Sequence, residues 1–187
     1  MFGECLDHDL VLPTLLDDEV TGDLIEGVRS LLEAPSPAVL TTYRKDGGAL
    51  VSPVWFRWRD AGFEVVIAKG DLKLRHLARD PRCVLVVFEA VRPFRGVEVR
   101  GVGELLECDV SAVRTAIAGR YLGAGDGARF AAERNPKPGV LLRLAWDNPR
   151  VWDLSGILPT ASTPGPHGLG EQSEQDSPPG ATTGCAA

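Results

Sequence analysis

The chain has 187 residues, a mass of 20.0 kDa, 44% hydrophobic residues and a formal net charge of -6. That length and apolar content suit one domain with a single buried core. No apolar run is long enough to cross a bilayer as a helix, and the opening MFGECLDHDL lacks the basic-then-apolar order of a leader. An acidic protein is a poor general binder of nucleic acid, so the expectation is a cytoplasmic protein that engages neither nucleic acid nor membrane. The charge is nevertheless uneven. Residues 43–100 hold 12 Lys+Arg against 7 Asp+Glu, a balance of +5, which leaves -11 for the remainder. A basic middle inside an acidic chain suits a small anionic ligand, although scattered solvated charges would give the same count. Cys5, Cys83, Cys108 and Cys185 are widely spaced and form no metal-ligand pattern with the three histidines. No metal is expected, the cysteines are expected to be reduced, and Cys83 and Cys108 read as core or strand residues.

In chain order, residues 20–33 place Leu24, Val28, Leu31 and Leu32 at helical spacing before APSP stops the helix. Residues 38–43 and 49–58 are β-branched and aromatic, and the Asp-Gly in RKDGG between them signals a hairpin turn. Pro53 cannot donate a ladder hydrogen bond, so the second strand is expected to be an edge or to carry a bulge there. A third strand over 63–68 breaks at Gly70. Asp71 is placed to cap a short helix whose buried stripe is Leu74, Leu77 and Ala78. Residues 83–89 read as a fourth strand and 97–108 as a fifth. Helices follow from Asp109 to about Tyr121 and around 128–133, and a last hairpin is built from GVLLRLAW and RVWDL. Residues 1–19 read as an N-terminal extension, and 159–187, rich in Gly, Pro, Ser and Thr, as a disordered tail. Six or seven short strands joined mostly by tight turns predict a mainly β chain, a split antiparallel barrel with flanking helices, over 20–158. No G-x-G-x-x-G follows a strand, so a Rossmann dinucleotide site is not supported.

The charged residues raise one question. A helix N-terminus carries partial positive charge, so Lys73 in the first turn of the short helix calls for an anion beside it. A solvated lysine paired with Asp71 or Asp80 satisfies that need, and so does a bound phosphate. His76 reads as a surface residue or a second phosphate contact. Trp55 and Trp58, three apart on a strand, face opposite sides, so one is expected in the core. Ser52, His76 and Asp80 do not form a credible triad without a nucleophile elbow.

The stretches LTTYRKDGGALVSPVWFRW, VVIAKGDLKLRHLARDPRCVLVV and VEVRGVGELLE, in that order, resemble the flavin-binding split β-barrel family typified by pyridoxamine 5'-phosphate oxidase. The likeness covers residues 37–154 and is nearest the branch that uses the deazaflavin coenzyme F420. The resemblance implies an F420- or FMN-dependent oxidoreductase, a homodimer with the cofactor between subunits. It would transfer a hydride between reduced F420 and a small conjugated substrate such as an enone, quinone or tetrapyrrole. The alternatives are an FMN-dependent pyridoxamine 5'-phosphate oxidase-like enzyme or a non-catalytic flavin- or haem-binding protein. It implies that Lys73, with Gly70, Asp71 and Leu72, holds the cofactor phosphate. Ile67 and Ala68 would line the ring, and Val51, Ser52, Pro53, Val54 and Trp55 would pass along its face. Arg95, Arg100, Arg143 or Trp152 would reach a cofactor held by the other subunit, and some of Arg75, Arg79 and Arg82 would meet the polyglutamate tail of F420. The sequence departs from the oxidases where Asp71-Leu72 replaces their Ser-Arg and where their second-strand arginine is absent.

Overall fold

The structure is a computed structural model that describes residues 18–147 and 149–159. Apart from residues 18, 19 and 159, the predicted N-terminal extension and tail lie outside those residues. Helix α1 (Asp18–Glu33) begins two residues earlier than predicted and buries Val28, Leu31 and Leu32 against the core. Strands β1 (Ala38–Tyr43) and β2 (Ala49–Val54) form the predicted hairpin, with Arg44 N–H donating to Gly48 O at 2.7 Å across the turn. Strands β3 (Arg57–Arg59) and β4 (Gly62–Ala68) follow, then α2 (Leu72–Arg79) and strands β5 (Arg82–Phe88), β6 (Gly96–Val102) and β7 (Glu104–Leu106). Helices α3 (Ser111–Leu122) and α4 (Ala124–Arg134) lead into β8 (Gly139–Ala145) and β9 (Arg150–Trp152).

These strands make two antiparallel sheets, ordered β2-β1-β5-β6-β9 and β3-β4-β8-β7. The mainly β architecture follows the sequence reading; the strand count does not. Two strands expected to run unbroken, over 49–58 and 97–108, each split between the sheets, so seven expected strands become nine among the described residues. The first changes sheet at Trp55-Phe56. The second changes at Gly103, which is buried, donates its N–H to Pro81 O at 2.8 Å and lies under Leu142. Pro53 sits in β2, the edge of the five-stranded sheet, where its missing N–H costs no ladder bond.

One core fills the space between the sheets, built from alternating inward residues such as Leu40, Phe63, Val65, Leu85, Val99 and Leu142. A second apolar cluster, Val110, Val113, Ile117 and Leu141, seals α3 over the outer face of the four-stranded sheet. The two clusters are joined by polar bonds at the β2–β3 crossing. The Arg120 guanidinium of α3 donates to Leu32 O at 2.5 Å, to Ala34 O and to Phe56 O at 3.1 Å, and lies 4.2 Å over the Phe56 ring. Tyr121 Oη accepts from Phe56 N–H at 3.3 Å and donates to Ser36 O at 3.1 Å. Burial holds the Arg120 guanidinium below its usual pKa range and pushes the Tyr121 phenol up. No helix among the described residues is long and apolar enough to cross a membrane.

Helix α4 is longer than predicted: it runs through Gly125 and Gly127, and Gly127 is a packing contact and not a stop. A Cβ on Gly127 would stand 2.5 Å from Gly119 Cα, whereas a Cβ on Gly119 would meet open space. Gly127→Ala should therefore push α3 and α4 apart and lower stability by about 1–3 kcal/mol. Gly119→Ala should be neutral or gain about 0.5–1 kcal/mol from helix propensity. Urea unfolding of the two variants checks the contrast; equal effects would contradict the close crossing.

Candidate functional site: a cationic cleft at the strand crossing

A cleft of about 330 Å³ opens where the β2–β3 crossing, the end of β4, the start of α2 and the α3–α4 pair meet. Its walls are apolar. Pro53, Val54 and Trp55 form one side and Val65 to Ala68 the other, with Ile117 and Phe130 from the helices. Trp55 is held flat by Tyr121, the rings 4.8 Å apart and 7° from parallel, and is flanked by Phe130 at 5.5 Å. Trp58 instead packs edge-on against Phe63 and Trp146 in the core, so the two tryptophans divide as the sequence predicts.

The mouth is charged. Lys73, Arg114, Arg134 and Lys137 line it against one carboxylate, Asp71. Gly70, at φ +92°, turns the chain off β4, and Asp71 caps α2 by accepting the Lys73 N–H at Oδ1, 2.9 Å away. The other oxygen of the same carboxylate, Oδ2, holds Lys73 Nζ at 2.9 Å. The anion that Lys73 requires is thus supplied by the chain itself. Partial burial raises the Asp71 carboxyl, but the Lys73 N–H and ammonium outweigh it together and leave it below the usual range.

Arg114 is positioned by the chain that links α4 to β8, donating to Arg134 O at 3.0 Å, Asn135 Oδ1 at 3.1 Å and Lys137 O at 3.0 Å. Burial lowers its pKa, and Asp109 partly compensates. The Arg134 guanidinium lies 5.1 Å over the Phe130 ring. Neither Arg134 nor Lys137 forms an ion pair among the described residues.

Of the residues expected in the site, the cleft brings together Pro53, Val54, Trp55, Ile67, Ala68 and Lys73. Val51 points from the outer sheet face at 61% exposure, and Ser52 and Gly70 lie outside the lining. His76 is not a surface residue, and it lies outside the cleft lining. It is buried on the side of α2 away from the cleft, its Nδ1 3.1 Å from Thr42 Oγ1. Asp80 is bound to Arg82, which pulls its carboxyl down to about 2, so Ser52, His76 and Asp80 form no triad. Arg75 and Arg79 border a separate open basin with Arg44, Lys45 and His76. Arg95 pairs with Glu89 and Arg100 with Glu98, Trp152 covers Gly96, and with Arg143 they stand outside this chain's own cleft. Cys83 is a free buried thiol pushed up to about 11 by burial, but Cys108 is disulfide-bonded, contrary to the reduced state expected of it. No three His, Cys, Asp or Glu side chains among the described residues could hold a metal ion. Sequence reasoning missed Arg114, Phe130, Arg134 and Lys137, which reach the cleft only through the packing of α3 and α4.

Two antiparallel sheets that exchange strands around one core define a split β-barrel, with a cationic apolar cleft at the exchange. Residues 24–153 match the family described as pyridoxamine 5'-phosphate oxidase, and the chain belongs to that family. No curated protein matches the sequence. Among solved structures, a conserved hypothetical protein from Mycobacterium tuberculosis is similar at 21% identity and TM-score 0.61, over 81% of this chain and 94% of that one. An F420 reductase is similar at 25% identity and TM-score 0.54, over 65% of this chain and 94% of that one. The haem storage protein HutZ from Vibrio cholerae shares the fold at 16% identity and TM-score 0.55, over 70% and 94% of the two chains.

The Asp71 cap predicts a pH signature. At neutral pH Asp71→Ala should lose about 0.5–2 kcal/mol, with Asp71→Asn retaining the cap bond and losing less. A carboxyl held below its unfolded value stabilises above about pH 4, and that contribution is lost as pH falls through the folded value. Urea melts of wild type and Asp71→Asn should therefore differ at pH 7 and converge near pH 2. A constant difference across that range would contradict the ion pair.

Proposed function

We propose that the cleft binds the ring of a flavin or deazaflavin and that the protein is an oxidoreductase. Coenzyme F420 is the first reading and FMN the alternative. The carrying observation is the slot between Trp55 and the Val66 to Ala68 strand end, apolar and flat, with cations only at its mouth. Its volume lies at the small end of ligand sites, about 300–1,000 Å³, which suits the ring with its side chain trailing outward. The likeness to an F420 reductase supports the choice of coenzyme.

The chemistry that a reduced deazaflavin would supply, when bound, is a hydride for an electron-poor carbon of a conjugated substrate. The chain then has four tasks. Trp55 and Val66 hold a planar ring by contact, Phe130 and the α3 side chains exclude water, backbone groups of Ala68 and the free edge of β2 offer hydrogen bonds, and the cations fix the anionic arm. No protein nucleophile is needed. Among the described residues, none of the lining side chains is an imidazole, thiolate or phenol of the kind that ligates haem iron.

A homodimer is part of the proposal. The outer face of the five-stranded sheet carries Val39, Val51, Pro53, Val84, Val86 and Phe88 with no helix of the described residues over it, and a second copy would cover it. The small conjugated substrate would then enter beside the ring.

Titration of the purified protein with F420 and with FMN, side by side, tests the reading. F420 should bind with quenched fluorescence, and Trp55→Ala should weaken binding by about 0.5–1.5 kcal/mol, the scale of one aromatic contact. Tighter binding of FMN would select the alternative; no binding of either coenzyme would contradict the function.

A further inference from the structure

The family likeness would place the cofactor phosphate on Lys73, but the geometry around Lys73 does not leave it available. Its backbone N–H and its ammonium both end on one carboxylate, at 2.9 Å each, and the lysine side chain is only 17% exposed. These are the two donors a phosphate would use at the start of α2. An incoming phosphate must expel Asp71, forfeiting the helix cap and the ion pair, or settle beside a carboxylate that repels it.

The opposite lip of the mouth has the reverse character. Arg134 and Lys137 are exposed, line the cleft and form no ion pair among the described residues. Arg114 joins them, already oriented by three acceptors, and an arginine has five N–H donors, so donors remain for a ligand. One of these bonds occupies the carbonyl of Arg134, the last residue of α4, where partial negative charge would otherwise oppose an anion. The aromatic ring of Phe130 under Arg134 continues the apolar wall directly into this cationic lip.

We infer that Asp71 is the resident anion of the α2 start, and that Arg114, Arg134 and Lys137 form the subsite for the phosphate of the ligand. The inference rests on the coenzyme reading of the same cleft. It assigns Asp71 a selective role as well: its carboxylate keeps Lys73 neutralised, so the ligand enters with its anionic arm toward α4 and not toward α2.

The test compares ligands with and without the phosphate: FMN against riboflavin, and F420 against its phosphate-free 8-hydroxy-5-deazariboflavin core. The variants are Lys73→Ala, Asp71→Asn and the surface pair Arg134→Ala/Lys137→Ala. The pair should weaken the phosphate-bearing ligands about tenfold or more and the phosphate-free ones less than about twofold. Lys73→Ala should change either class less than about threefold, because its charge is already spent on Asp71. Asp71→Asn, which keeps the cap, should tighten the phosphate-bearing ligands alone by freeing the ammonium. A tenfold loss in Lys73→Ala with the pair unchanged would overturn the inference, as would ring binding that ignores the phosphate, and either result leaves the ring reading standing. Binding of none of the four compounds by any variant would overturn both.

Discussion

The structure depends on how the chain changes sheets at Trp55-Phe56. Phe56 turns inward and is fully buried, while Trp55 turns outward onto the cleft, so one dipeptide closes the barrel and builds a wall of the site. The turn is held by α3. Arg120 satisfies three carbonyls, from α1, the segment after it and Phe56 itself, and Tyr121 binds the Phe56 N–H while stacking on Trp55. Such carbonyls would cost about 1–3 kcal/mol each if buried unpaired, so the guanidinium is a structural requirement of the crossing. Its consequence is preorganisation: the cleft wall formed by Trp55 is fixed by the same bonds that hold the barrel shut.

Charge is arranged around that wall with one deliberate-looking asymmetry. The α2 lip of the cleft is internally neutralised by Asp71 and Lys73, and the α4 lip is left cationic. An apolar slot with one charged end orients an elongated anionic ligand by electrostatics while binding its flat part by contact. The proposed hydride transfer suits such a site, because in that reading the chemistry would reside in the coenzyme and the protein would contribute placement and exclusion of water.

The residues explain what was legible beforehand and what was not. Turn chemistry and alternation are local, so the β1–β2 hairpin, the edge position of Pro53, the Asp71 cap and the split of the tryptophans could be read from neighbours in sequence. The sheet changes were hidden because an apolar strand reads the same whether it continues in one sheet or crosses to another. The extent of α4 was hidden because Gly125 and Gly127 look like helix breakers, whereas Gly127 is the residue that lets α3 approach. His76 was misplaced since helical spacing groups it with Lys73, but the helix buries that side of the ring against Thr42. Arg114, Arg134 and Lys137 carry no local signal at all; only the α3–α4 packing makes them neighbours.

The most direct test of the central claim is amide hydrogen exchange on the protein with and without F420, and again with FMN. If the cleft at the crossing is the coenzyme site, added protection will fall on residues 53–55, 66–69 and 114–118 and on the turn at 134–138, with β6 and β9 unchanged. Protection confined to the basin around Arg75 and Arg79, or to the outer sheet face, would show that the cleft is not where the coenzyme binds.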